Sequence, residues 1–263
     1  MRIMKKFIAL TLAILMLATC FIGCGKKTAA TDFDYIKENK KIVVGITDYA
    51  PMDYKDDKGE WTGFDAEFAR LFAEELGVEI EFFVIADWGK KFVELETKNI
   101  DCVWNGMTIT DEAKLNASVS DAYVLNAQVV VAKADKIADI KTAADLANLK
   151  VAVESGSAGE DAAKEANVQN IIAKQDQAAA LLEVKAGTAD ACVIDITMAR
   201  AMTGAGTDYA DLAAGISLTE EEYGVAFRKD SDLTAKFNAF MDKLIADGTL
   251  EALAKKYNLT LAD

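Results

Sequence analysis

The sequence contains no histidine. That absence removes imidazole general-base catalysis, Ser-His-Asp and Cys-His triads, and histidine metal sites together. Cysteine is scarce as well, with four residues at positions 20, 24, 102 and 192 and no C-x-x-C pair. Zinc sites and thioredoxin-type redox sites are therefore unsupported, and neither a metal nor a cofactor is expected. Positive charge is in deficit: 29 Lys and Arg face 43 Asp and Glu, for a net charge of −14. Beyond the first 23 residues the count is 26 basic against 43 acidic side chains, or −17. Such a surface repels nucleic acid and anionic lipid headgroups, which excludes nucleic-acid binding. The apolar stretch Phe7 to Ile22 has sixteen residues, short of the roughly 20 that a spanning helix needs.

What remains is a globular composition, 52% hydrophobic and 27% charged, not that of a disordered chain. At 263 residues it is long enough for one large or two small domains with real cores. Arg2, Lys5 and Lys6 precede the apolar run, which ends at Gly23-Cys24. A basic start, an apolar middle and a small residue before the break describe a signal peptide over residues 1–23. Phe21-Ile22-Gly23-Cys24 resembles a bacterial lipobox, with Cys24 as the lipid-modified residue; Leu17-Ala18-Thr19-Cys20 is a rival. Residues 24–39 then read as the lipidated cysteine and a polar tether to a cell-membrane anchor.

From Lys41 the chain alternates strands and helices, which implies an α/β fold with mostly parallel sheets. Lys41 to Ile46 is a buried strand, and Tyr54 to Trp61 reads as a hairpin. Phe64, Phe68, Leu71, Phe72 and Leu76 recur at helical spacing up to Gly77. A strand over 78–85, a helix over 88–98 and a strand over 100–104 follow. Residues 101–111 are central: a strand stops at Asn105-Gly106 and gives way to Thr108 and the caps Thr110-Asp111. In an open α/β sheet, ligands sit in that space beyond the carboxyl ends of strands. Strands are expected at 127–132, 149–153, 190–195 and 223–227, with closing helices from Leu233 to Tyr257. Lys98 before Asp101-Cys102, and Lys185 before Asp190-Ala191-Cys192, hint at two similar lobes. Cys102 and Cys192 are then buried free thiols in separate cores. In Trp104 the expectation favours core packing over the pocket.

An ordered set of motifs carries a resemblance over residues 40 to 258. The set is Gly63-Phe64-Asp65, Gly106-Met107-Thr108-Ile109-Thr110, Gly156-Ser157, Asp190 to Asp195, Tyr223-Gly224-Val225-Ala226 and Asp247-Gly248-Thr249-Leu250. It is similar to the family 3, polar amino acid-binding proteins of ABC importers. The resemblance implies a periplasmic-binding-protein-like fold, with two α/β lobes joined by two crossover strands around a ligand cleft. Lobe 1 would be residues 40–128 plus 224–263, and lobe 2 residues 129–223. It also implies a monomeric, non-enzymatic lipoprotein outside the cytoplasm that closes on an amino acid or related nitrogenous molecule and delivers it to a permease.

By the same resemblance, Tyr49 stacks on the ligand and Trp88 forms a second wall. Gly106 and Thr108, with Met107 between them, hold its carboxylate, and Asp195 receives the ammonium. Asn105, Asn126 and Gln128 offer further polar contacts. Two positions depart from the family pattern: Ala113 stands where an arginine clamps the carboxylate, and Ala158 where a threonine assists. Three explanations stay open. Lys114 replaces the guanidinium as a point charge; Ser155, Ser157 and the helix N-terminus near Gly159 hold the carboxylate; or the ligand lacks an ordinary α-carboxylate. In the last case Asp48, Glu154 and Asp195 with Tyr49, Trp88 and Trp104 suit an amine or quaternary ammonium ligand. A dehydratase-like enzyme on the same fold is the remaining alternative.

Overall fold

The computed structural model describes residues 31–262. The expected signal peptide, Cys20 and Cys24 lie outside the described residues. Where the sequence predicts tether up to residue 39, the chain is already folded: Asp32–Asn39 is a helix, α1, with Ile36 fully buried. Its Asp32 carboxylate receives Nε of Arg228 at 3.0 and 3.1 Å. One buried side chain and one ion pair dock a segment whose composition alone reads as spacer.

The expected order of elements then follows. Strand β1 (Lys41–Ile46) leads to the hairpin β2 (Tyr54–Lys55) and β3 (Trp61–Thr62). Helix α2 (Phe64–Leu76) buries Phe64, Phe68 and Phe72 on one face and ends at Gly77. Strand β4 (Glu79–Val84) runs parallel to β1. The expected helix over 88–98 is shorter: one 3-10 turn at Trp88–Lys90, held by the Asp87 side chain, and then α3 (Lys91–Glu96). Next come β5 (Cys102–Val103), α4 (Asp111–Asn116) capped by Thr110, β6 (Ser118–Val119) and β7 (Val124–Asn126). Strands β8 (Gln128–Lys133) and β9 (Lys150–Glu154) precede α5 (Ala158–Glu165) and β10 (Asn170–Lys174). Helix α6 (Gln177–Ala186), β11 (Ala191–Asp195), α7 (Ile196–Met202) and β12 (Leu212–Ser217) come next. Finally, β13 (Glu221–Tyr223), β14 (Ala226–Phe227), α8 (Leu233–Ala246) and α9 (Thr249–Lys256) close the chain.

Two five-stranded sheets result, ordered β4-β1-β5-β14-β6 and β10-β9-β11-β8-β12. In each, three strands are parallel and two flanking strands run antiparallel to their neighbours. Between them β7 and β13 pair antiparallel, Tyr223 opposite Val124 and Glu221 opposite Asn126. These are the two crossings that make a two-lobe architecture. The single strand expected over 223–227 is split, because the chain exchanges one partner, β7, for two others, β5 and β6.

The weak sequence repeat has a structural counterpart. In the first lobe Asp101 Oδ2 accepts the N–H of Val43 at 2.8 Å while its own N–H bonds Val43 O. In the second, Asp190 Oδ2 accepts the N–H of Lys150 at 2.8 Å and its N–H bonds Lys150 O. Each carboxylate stitches the start of one parallel strand to the next, before a free, buried cysteine. Trp104 is fully buried among Phe68 at 5.0 Å and Phe237 at 4.9 Å between ring centroids. Core packing therefore holds for Trp104, and the pocket does not claim it.

Candidate functional site

The carboxyl ends of both sheets converge on one cleft. Lining residues come from the first lobe (Trp88, Lys91, Asn105 to Thr108, Ala113), from Gln128 where β8 begins, and from the second lobe (Glu154, Gly156 to Ala158, Gln177, Asp195). It encloses about 40 Å³, room for a few waters at about 10–15 Å³ each by that measure. A molecule the size of an amino acid enters only if the lobes part at β7 and β13.

Asp195 ends β11 directly opposite Gln128 of β8 and is 4% exposed. Its Oδ1 accepts Nε2 of Gln128 at 2.8 Å and Nδ2 of Asn126, and its Oδ2 accepts Nε2 of Gln177. The backbone N–H of Asp195 returns a bond to Gln177 Oε1 at 2.9 Å. Three donors occupy most of the roughly four lone-pair positions of a carboxylate, which leaves about one for a ligand. Burial, and next the neighbouring Glu221, push the Asp195 carboxyl up to about 6. Glu221 lies on the returning crossover strand and accepts from Thr108 Oγ1 at 2.9 Å, Asn126 at 3.1 Å and Gln128 at 3.0 Å. Residue 221 was not anticipated from sequence, because an acid in the run Glu220-Glu221-Glu222 reads as solvated surface.

Glu154 ends β9 and is 4% exposed, and its Oε1 has no hydrogen-bond partner. Burial pushes its carboxyl up to about 8, with Asp195 and Asp176 adding to the effect and Lys91 opposing it. An acid that holds its proton more tightly when folded costs stability as it ionises. Glu154 therefore favours the fold below about pH 4.5, its ordinary value, and that contribution is lost as pH rises to about 8. Glu154→Gln is expected to flatten the fall in Tm of the ligand-free protein across that window. Parallel melting curves for wild type and variant from pH 5 to 8 would contradict the assignment.

Of the residues expected at the site, Trp88, Asn105, Gly106, Met107, Thr108, Gln128, Glu154, Ser157 and Asp195 line the cleft. The others stand elsewhere. Asp48 and Ser155 are exposed, outside the lining. Tyr49 is 2% exposed behind the loop, its hydroxyl bonded to Thr197 and Tyr223. It packs where a Cβ on Gly106 would lie 2.5 Å from its ring; Gly106 has φ +56°. The ring thus supports the loop from beneath and ties first lobe, crossover and second lobe through three hydroxyls. Lys114 is an exposed residue of α4, since the helix turns it away from the cleft that Ala113 lines. Gly159 packs against β11, where a Cβ would meet Gln128 Oε1 and Val193 O, both at 2.9 Å. Ser157 caps α5: its Oγ accepts Glu160 N and donates to Glu154 O. Glu160 itself accepts the N–H of Gly156 at 2.7 Å. That acid takes the N–H just before the N-cap, while Ser157 Oγ takes the N–H of Glu160.

Lys91 and Gln177 were missed. Lys91 hides in the pair Lys90-Lys91, and only the phase of the short helix distinguishes them. Lys90 points outward to Asp87, while Lys91 is 6% exposed in the cleft.

A family model described as bacterial extracellular solute-binding proteins, family 3, matches residues 42–260. The chain belongs to this family. The arginine-binding extracellular protein ArtP of Bacillus subtilis is 30% identical over 259 residues, 97% of this chain and 98% of that one. The L-cystine-binding protein TcyJ of Escherichia coli K12 is 32% identical, covering 84% of each. Among solved structures, a mutant of the arginine-binding protein ArgBP from T. maritima matches with TM-score 0.80 and 33% identity. That match covers 86% of this chain and 98% of that one. These relatives are named as binding proteins. Among the described residues of this family 3 solute-binding protein, no helix is long and apolar enough to cross a membrane.

Proposed function

We propose that the chain captures an amino acid or related nitrogenous small molecule outside the cytoplasm and delivers it to the permease of an ABC importer. Lobe 1 is residues 40–128 plus 224–263 and lobe 2 residues 129–223, closing about the β7–β13 crossings. Cys24, exposed by cleavage of the leader, carries the lipid anchor, and the protein works as a monomer. The observation that carries this reading is a set of unsatisfied acceptors around Asp195. Oε1 of Gln128, Oε1 of Glu154 and Oδ1 of Asn126 are buried without a donor. Buried acceptors without partners cost free energy that a ligand rich in N–H groups recovers. Four acids line the cleft (Glu112, Glu154, Asp161, Asp195) against one cation, Lys91; Glu154 holds its proton up to about pH 8, and the other three still outnumber the lysine, which favours a ligand carrying positive charge. The names of the relatives, binders of arginine and of cystine, agree with that chemistry.

A melting-temperature screen over amino acids, amines, betaines, carboxylates and sugars tests the reading. Stabilisation grows as ln(1 + [L]/Kd), about 2.7 kcal/mol at a hundredfold excess over Kd. Amino acids or cationic relatives of amino acids are expected to shift Tm. A response to sugars or inorganic anions alone would refute it.

A further inference from the structure

The first-lobe wall of the cleft holds a buried cation that no carboxylate among the described residues pairs at contact distance. Lys91 opens α3 and is 6% exposed. Its Nζ makes two bonds, both to backbone carbonyls: Trp88 O at 3.4 Å and Gly156 O at 3.2 Å. Among the described residues no carboxylate oxygen lies within 4.0 Å of it. It rests about 5.0 Å from the ring centroids of Trp88 and Phe92, which help tolerate a cation but do not cancel it. The acids that act on it from farther away are Glu112 of α4, Glu154 of β9, Asp161 of α5 and Asp87 of the preceding turn; burial works against its charge more strongly than any of them.

A buried ammonium costs several kcal/mol unless it is paired. Lys91 has one donor still unused, since an ammonium offers three. It shares the cleft with Ala113, Thr108 and Ser157. Gly156, whose carbonyl it reaches, meets Gly89 of the other lobe so closely that a Cβ there would lie 2.6 Å from the Gly89 Cα. Closure therefore seats the ammonium on the second lobe, where a bound molecule is enclosed. Asp195, bonded by Asn126, Gln128 and Gln177, lines the same cleft. Lys91 is the single cationic side chain of that lining, and the acids Glu112, Glu154 and Asp161 act on it from beyond contact distance.

We propose that Lys91 receives the carboxylate of the bound molecule, so that the ligand is an α-amino acid whose acid group faces Lys91 while its ammonium faces Asp195. This inference rests on the amino-acid reading given under Proposed function. It assigns the carboxylate to a residue of the first lobe different from Lys114, which is outside the cleft, and from the second-lobe residues at the α5 N-terminus. The ligand class that lacks a carboxylate is thereby disfavoured.

The test uses matched probes: L-arginine, L-lysine and L-glutamine, each beside the amine left when its α-carboxylate is removed. Calorimetric Kd values are measured for wild type, Lys91→Met and Lys91→Arg, with melting curves to verify folding of each variant. For an amino acid that wild type binds, Lys91→Met is expected to lose about 10- to 100-fold in affinity, the worth of one charged hydrogen bond. Its affinity for the corresponding amine should change less than threefold, and Lys91→Arg should recover most of the loss. Equal losses for amino acid and amine would make Lys91 a closure contact with no role in recognition and would overturn the proposal. So would an unchanged amino-acid affinity in Lys91→Met. The wild-type arm separates the two readings: if none of the three amino acids binds, or each amine binds more tightly than its parent, the amino-acid function itself fails.

Discussion

Asp195→Asn is expected to weaken ligand binding by about 30- to 3,000-fold, the largest effect of any single substitution in the cleft. Truncating one partner of a buried, hydrogen-bonded charge pair typically costs about 2–5 kcal/mol, and each 1.4 kcal/mol is tenfold in Kd. The loss has two sources. The ligand's positive group forfeits its counter-charge, and the new amide points at least one N–H toward Asn126, Gln128 and Gln177, which already donate to this position. The fold should survive, because the shape is kept and a carboxylate that burial had penalised is removed. Titration calorimetry on wild type and variant, with the ligand found by the melting screen, reads the difference. Wild-type affinity in Asp195→Asn would remove this residue from the site. A related pH effect follows from the same geometry. With its carboxyl pushed up to about 6, Asp195 takes up a proton below that pH, so affinity for a cation-bearing ligand should decline on acidification through pH 6.

Phe68→Ala is expected to cost about 3–5 kcal/mol of stability, the range for removing a fully buried aromatic ring. Phe68 is 0% exposed. Its ring lies 5.0 Å from Trp104, 5.4 Å from Phe237, and 6.0 Å from each of Phe64, Tyr123 and Phe240, centroid to centroid. Those neighbours belong to α2, β7 and its approach, the β5 end and α8, so no single movement refills the hole. For a domain of this size each kcal/mol shifts Tm by about 2–4 °C, which predicts a fall of about 6–20 °C. Ligand affinity should persist in the folded fraction, since Phe68 does not line the cleft. A drop in Tm of less than 2 °C would mean that the cluster repacks freely and is not the centre of the first lobe.

Local and periodic features of the fold were legible in the chain. Helix α2 follows from Phe64, Phe68 and Phe72 at helical spacing, with Gly77 as its stop. Strand β11 follows from the β-branched run that carries Asp195 to its carboxyl end, and a carboxylate at a strand end of such a sheet faces the cleft whatever the details. The loop at Gly106 was legible for a similar reason: a strand halted by Asn-Gly has no other way to proceed. Asp190, just before the same strand, has a structural task instead, accepting the N–H of Lys150.

The rest depended on closure. Lys91 and Gly156 are 65 positions apart, and no period in the sequence relates them. Only packing of one lobe on the other turns one lysine of an adjacent pair into a buried cation. Tyr49 illustrates the converse. Its position in the chain suits a ligand contact, yet in the folded protein its ring packs against Gly106 and its hydroxyl finds Thr197 and Tyr223. By itself, then, the sequence determined the α/β alternation and the exclusion of histidine chemistry, because these rest on composition and on periods of two and 3.6 residues, while the two-lobed plan and the acid at 195 came from the ordered motifs that resemble the family. The tertiary structure alone decided which cation enters the cleft and which polar atoms are left without partners. Burial is a property of both lobes together, and the free energy of a charge depends on what surrounds it in space.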